Sequence, residues 1–187
     1  MKKIQRILKI LVLLILMSHT AQDDKDGKLG SASIGKLDIT LKISNLVRIS
    51  HLDDLDFGTY NGVGDLSADD DVCVYRNGAT GRYQVTAAAI EGKFAVKSTD
   101  NDEIPYEVFF NDKKGTNGGI KLVYNTTSSA QTGANTQSTD CFNGKTLNAN
   151  IRVDFDSIDL QSAPEGSYKS TLLVAVEPVE YQTKFSY

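Results

Sequence analysis

Residues 37–43 read Leu37-Asp38-Ile39-Thr40-Leu41-Lys42-Ile43, an unbroken alternation of apolar and polar side chains. In an extended chain successive side chains point to opposite faces, so Leu37, Ile39, Leu41 and Ile43 share one face and Asp38, Thr40 and Lys42 the other. A one-sided apolar strand has to be buried against something. This one stands between a polar leader and a chain of short strands, so it can close its own domain or reach into a neighbour's.

Upstream, Met1 to about Ala21 carries Lys2, Lys3, Arg6 and Lys9 and then the apolar run Ile10 to Met17. That is the charged region and short apolar core of a secretion signal, assigned to residues 1–21, and it is too short for the roughly 20 residues of a membrane span. Ser18 and Thr20 suit cleavage after Thr20, whereas cleavage after Ala21 would place His19 two residues further back, and the site stays open. An uncleaved anchor is the alternative. With no Cys near the cleavage region, a lipid anchor at this end is not expected. Gln22 to Gly35 is charged and rich in Gly and Ser, and residues 22–45 are read as a flexible leader with its strand.

Removing the signal leaves about 165 residues, enough for one domain with a substantial core, placed at residues 46–187. The net charge of −4 and pI near 5.2 argue against a nucleic-acid partner, which needs a basic face. The only cysteines are Cys73 and Cys141, and an oxidising compartment pairs them.

Downstream, the pattern is of strands and turns. Leu46 to Ile49 starts the body. His51 to Asp65 reads as turns around a buried Leu55 and Phe57, and Asp69 to Asp71 precede the strand entry Val72 to Tyr75. Arg76 to Gly81 reads as a hairpin turn, because Asn77-Gly78 readily takes positive φ. Tyr83, Val85 and Ala87, then Lys93 to Ser98, then Ile104 to Phe110, give further strands, with Pro105 marking an edge or a start. Ile120 to Tyr124 is a short strand, and Asn125 to Asp140 a long Ser/Thr/Asn-rich loop expected to be mobile, pinned at its far end by Cys141. Leu147 to Phe155 alternates cleanly, Ile158 to Leu160 makes a short connection, and Tyr168 to Val176 is the last long strand. Outside the signal, apolar residues never recur at helical spacing over ten or more positions. The fold class is therefore all-β, most simply a sandwich, with no internal repeat.

Chemistry is sparsely signalled. His51 is the one histidine beyond the signal, no nucleophile-elbow or zinc-protease motif occurs, and no catalytic residue, metal site or cofactor is assigned. The acidic groups Asp53, Asp54 and Asp56, Asp69 to Asp71, and Asp100 and Asp102 could offer oxygen ligands to calcium, but none has the spacing of a calcium loop, and solvated turns are the preferred reading. Asn125-Thr126-Thr127 matches a glycosylation sequon and, in a Thr-rich loop, is assigned nothing.

The segments Leu52 to Ala87, Ile104 to Asp112, Cys141 with Asn148 to Val153, and Ala163 to Pro178, in that order, resemble subunits of bacterial chaperone-usher fimbriae, near the spore coat protein U domain and colonisation-factor-type pilins. The resemblance covers most of Leu37 to Pro178, and Gly166 and Tyr168 match the family's Gly-x-Tyr ahead of the final strand. It implies an immunoglobulin-like β-sandwich that lacks its seventh strand and is completed by the N-terminal strand of the next subunit. On that reading Leu37, Ile39, Leu41 and Ile43 are the donor residues. The acceptor groove is lined by Leu172, Val174 and Val176, or by the opposite-face pair Leu173 and Ala175. The implied partners are other fimbrial subunits, a periplasmic chaperone and an outer-membrane usher, and the implied location is the periplasm and then the cell surface. The alternative for the strand is that Leu37 to Ile43 is simply the first of its own sandwich. The tail Val179 to Tyr187 departs from the family, and could fold back to supply the missing strand or merely prolong the last one. A self-contained secreted sandwich whose 125–140 loop binds a carbohydrate or a host protein is the alternative function.

Overall fold

The computed structural model describes residues 25–179. The secretion-signal reading and all of the tail reading beyond Val179 lie outside those residues. The chain divides between Ile43 and Ser44 into a leader and a body. Within the leader, the Lys36 N–H donates to the Lys25 carbonyl at 2.8 Å and the Lys25 ammonium pairs with the Asp38 carboxylate. Leu37 to Ile43 belong to no strand, and the four apolar side chains of the alternation are 77–88% exposed. The body's own sheet begins further on, at Val47.

The body is all-β and antiparallel. Strands β1 (Val47–Ser50), β2 (Leu66–Arg76), β8 (Ala149–Phe155), β6 (Glu107–Asn111) and β7 (Ile120–Lys121) form a five-stranded sheet in that spatial order. Strands β3 (Tyr83–Ala89) and β9 (Leu172–Pro178) pair with each other, as do the short β4 (Ala95–Lys97) and β5 (Glu103–Pro105). One core joins the layers. Val72 and Val74 of β2, Val108 and Phe110 of β6, and Ile151, Val153 and Phe155 of β8 meet Tyr83, Val85 and Ala87 of β3. Two sheets sharing one interior in this way make a sandwich. Leu55 and Phe57 are half-buried rather than fully so, and Phe57 sets its ring edge-on to Phe155 at 4.9 Å.

Several sequence expectations are corrected. Asp69 to Asp71 lie inside β2, not before it, because Leu66 and Ala68 already pair with Phe155 and Val153. The Arg76–Gly81 turn does not close a hairpin. It carries the chain from the five-stranded sheet across to β3, whose strand partner is β9. Gly81 permits this crossing, since it sits at φ +56° and a Cβ there would lie 3.0 Å from the Ala134 carbonyl oxygen. The expected strand Ile104–Phe110 breaks at Tyr106, leaving Pro105 in the two-stranded β4–β5 unit and handing β6 to the large sheet. Ile158 falls in a short helix, α1 (Ser157–Ser162), whose N-terminus is capped by the Asp156 carboxylate accepting from the Ile158 N–H at 2.7 Å.

The 125–140 loop is bound along its length by backbone hydrogen bonds. Asn125, Ser128 and Gln131 each donate a backbone N–H to β3, at Ala87, Val85 and Tyr83 in turn, all at 2.8 Å. Further on, Asn135 donates to the Val74 carbonyl at 2.8 Å and accepts from the Arg76 N–H at 2.9 Å. The Asn148 carboxamide stands in for a peptide group beside β2, accepting from the Val74 N–H and donating to the carbonyls of Val74 and Gly133. The expected mobile loop is thus a tethered flank of both layers. The Cys73–Cys141 disulfide is present and closes its far end.

Candidate functional site

A strand inside a sheet spends its backbone on two neighbours, and among the described residues β9 has one. Its ladder to β3 matches Leu172 with Ala89, Val174 with Ala87 and Val176 with Val85. These pairs point into the core, yet the two members of each fare differently. Ala89, Ala87 and Val85 are 4%, 0% and 0% exposed, while Leu172, Val174 and Val176 are only half-buried. The bound loop covers the far side of β3, and among the described residues no strand covers the far side of β9. Leu172, Val174 and Val176 thus stay partly exposed along the side of β9 that no described strand covers. Leu173, at 53% exposed, and Ala175 face outwards from the sheet.

The opposite bank of the gap is β1. It is the edge of the five-stranded sheet, and among the described residues it pairs with β2 alone, from Val47↔Arg76 to Ser50↔Cys73. Strands β1 and β9 approach to within 8 Å between Cα atoms without forming a ladder. Among the described residues each of these edges lacks a second strand partner and is open to strand addition, but a strand seated between them needs about 10 Å, so the two must part where they stand closest.

The chain enters and leaves this edge under tight control. Just before β9, Lys97 and Lys169 exchange backbone hydrogen bonds at 3.0 and 3.1 Å, and the Ser170 hydroxyl donates to Glu91. Tyr168, of the Gly166/Tyr168 pair, turns its hydroxyl back to the Pro164 carbonyl at 2.8 Å, closing the corner that delivers the strand. At the other end the Val179 N–H donates to the Arg82 carbonyl, and the Arg76 guanidinium donates to the Val179 carbonyl.

The remaining sequence candidates serve the scaffold. The His51 ring lies 3.2 Å from where a Cβ on Gly144 would stand, and its Nε2 is 3.0 Å from the Asp140 carbonyl oxygen. Asp69 and Asp71 both accept from the Asn150 carboxamide, at 2.7 and 2.9 Å, and Asp71 also accepts from the Gly115 N–H at 2.7 Å. Burial pushes the Asp71 carboxyl up, but the bonds from Asn150 and Gly115 and the Lys114 ammonium outweigh it and hold the group below its ordinary value. Asp70, on the core-facing parity of β2, goes the other way. Burial raises it, opposed by a bond from the Asp53 N–H and assisted by the charges of Asp53, Asp71 and Asp69. Among the described residues no group of three or more His, Cys, Asp or Glu side chains is placed to hold a metal, and no helix is long and apolar enough to cross a membrane.

Sequence reasoning singled out Leu37 to Ile43 and Leu172, Val174 and Val176 as candidates, but missed the edge at β1 and the loop bound along β3. No local signal marks the loop, because Asn125, Ser128, Gln131 and Asn135 bind through backbone N–H groups that every residue but proline carries.

No family model and no curated protein matches the chain. Among solved structures it is similar to a chain of a chaperone–tip adhesin complex described as vital for synergistic activation of CFA/I fimbriae biogenesis, at 13% identity and a TM-score of 0.49, covering 71% of this chain and 42% of that one. It is also similar to a chain of the CsuC–CsuE chaperone–tip adhesion subunit pre-assembly complex from archaic chaperone-usher Csu pili of Acinetobacter baumannii, at 18% identity and a TM-score of 0.43, covering 78% of this chain and 41% of that one. The chain spans less than half the length of either.

Proposed function

We propose that the chain is a structural subunit of a cell-surface fimbria, exported to the periplasm and assembled by strand donation. Leu37, Ile39, Leu41 and Ile43 of one copy lie along β9 of the next and cover Leu172, Val174 and Val176. The observation that carries this reading is the asymmetry across the β3–β9 ladder, where three core-facing residues stay half-buried for want of a neighbour. An unpaired segment with four exposed apolar side chains at strand spacing is the complementary half. The partners are other subunits, a periplasmic chaperone that shields the edge before assembly, and an outer-membrane usher. The 125–140 segment, tied down through its backbone, gives the rival reading of a mobile recognition loop no support.

Deleting residues 27–44 and sizing the purified protein tests the proposal. Loss of oligomers with retention of a folded body is expected. A full-length protein that is monomeric and equally stable without a chaperone overturns it.

A further inference from the structure

The leader joins the body at a point where backbone and side chain are unusually well tied. The β1–β2 ladder ends at Val47↔Arg76, but the pairing continues by other means. The Asn77 N–H donates to the Leu46 carbonyl at 3.1 Å, the Leu46 N–H donates to the Asn77 Oδ1 at 2.7 Å, and the Asn77 Nδ2 donates to the Ser44 carbonyl at 2.7 Å. The carboxamide thus acts as one more peptide group of β2 and extends the ladder to the first residue of the body. Ser44 is also where the body begins, immediately after Ile43, the last apolar residue of the alternation.

We infer that Asn77 is a positioning residue that holds the root of the leader in line with β1 and so steers Leu37–Ile43 towards β9 of a second copy instead of its own. This rests on the strand-donation reading. To lie along its own β9, the leader must reverse direction between Ile43 and β1, and a reversal needs two or more residues free to take turn dihedrals. Ser44 and Leu46 are held by the Asn77 carboxamide, so a reversal would have to fall on Lys42 and Ile43, inside the alternation, and would take Ile43 out of the apolar row. Asn77 is suited to the task because it carries a donor and an acceptor on one short side chain. Asp keeps only the acceptor, and Ala neither.

The test compares the full-length wild-type chain with Asn77→Ala, Asn77→Asp and a variant with Gly-Ser inserted between Ile43 and Ser44, which adds slack without touching the body. Sizing with light scattering over a concentration series gives the monomer-to-oligomer ratio, and exchange of the Leu46 amide reports the clamp. Asn77→Ala is expected to speed Leu46 exchange and raise the monomer share roughly tenfold, the scale set by two lost hydrogen bonds. Asn77→Asp should fall between it and wild type. The insertion should raise the monomer share while leaving Leu46 protected. Wild-type oligomers that persist unchanged in both Asn77→Ala and the insertion variant overturn the steering role alone. A wild-type chain that is monomeric throughout overturns strand donation and this role together. If Asn77→Ala fails to fold, the insertion decides.

Discussion

Strands β8 and β9 have nearly the same grammar and different fates. Ile151, Val153 and Phe155 of β8 alternate with polar residues, and Leu172, Val174 and Val176 of β9 recur with the same period. The first set is 4–6% exposed, the second half-buried. The difference lies in neighbours, because among the described residues β8 sits between β2 and β6 whereas β9 has β3 alone. Burial is a property of the pairing and not of the strand. An alternating pattern states that one face will be covered, without saying by which chain.

The comparison can be pressed at several points, beginning with what locks the completed side. Replacing Cys73 and Cys141 by Ala frees the loop that flanks β3 and β2 and is expected to cost about 4 kcal/mol in denaturant unfolding, from the chain entropy of so long a closed loop. A loss within error of zero would mean that the backbone hydrogen bonds of the loop suffice alone.

Next in size, Ile151→Ala in β8 should cost about 3 kcal/mol and Leu172→Ala in β9 about 1 kcal/mol, because the second side chain leaves less buried volume behind. Adding a peptide of residues 36–45 should enlarge the Leu172→Ala loss and leave that of Ile151→Ala alone. Equal losses without the peptide would break the contrast between the strands.

Tyr83, opposite the far end of β9, supplies a change of the other sign. Its hydroxyl is buried without a hydrogen-bond partner among the described residues, and burial, with a smaller push from the Asp112 charge, raises its pKa above the ordinary phenol value. Tyr83→Phe keeps the edge-on ring contact with Phe110 and is expected to stabilise by about 1 kcal/mol, seen as a rise in Tm. A drop in Tm would mean that the hydroxyl has a partner.

The smallest effects, about 0.5 kcal/mol each, separate neighbouring carboxylates on β2. Asp71 is held below its ordinary value near 3.8, so its contribution is present above that pH and lost as pH falls through the folded pKa. Asp70 is raised, so its contribution is present below 3.8 and lost as pH rises through the folded pKa. At neutral pH Asp71→Asn should therefore lower stability and Asp70→Asn raise it. Urea titrations at pH 7 and pH 3 check both signs.

What could be read in the residues was whatever depends on local period. The alternation of Leu147 to Phe155, the two cysteines and the all-β class are of that kind, whereas Leu37 to Ile43 has the same period and lies in no strand. What could not be read depends on partners far along the chain. Asn77-Gly78 signals a turn, made with positive φ at Gly78, but not whether the next strand returns to β2 or crosses to β3. Asn125 to Asp140 has the composition of a mobile loop, yet its main chain finds acceptors on β3 and β2 that no local rule foretells. The helix Ser157–Ser162 is too short for periodicity to register. The open edge of β9 was reached only through a resemblance, since a missing neighbour leaves no mark on the strand that lacks it.

The register of β9 also bears on how the chain comes to be folded. Its ladder joins Ala89 to Leu172 and Tyr83 to Pro178, while β2 and β8 join Leu66 to Phe155, so both layers close through contacts of very long sequence separation. Such topologies fold in about milliseconds to seconds, and the interior stays accessible until the last strand has docked. During that interval the edges of β3 and β9 are both bare, and misassembly competes on a clock of its own. An agent that shields β9 then works on yield, through the rate of wrong encounters, and leaves the equilibrium stability of the finished sandwich unchanged.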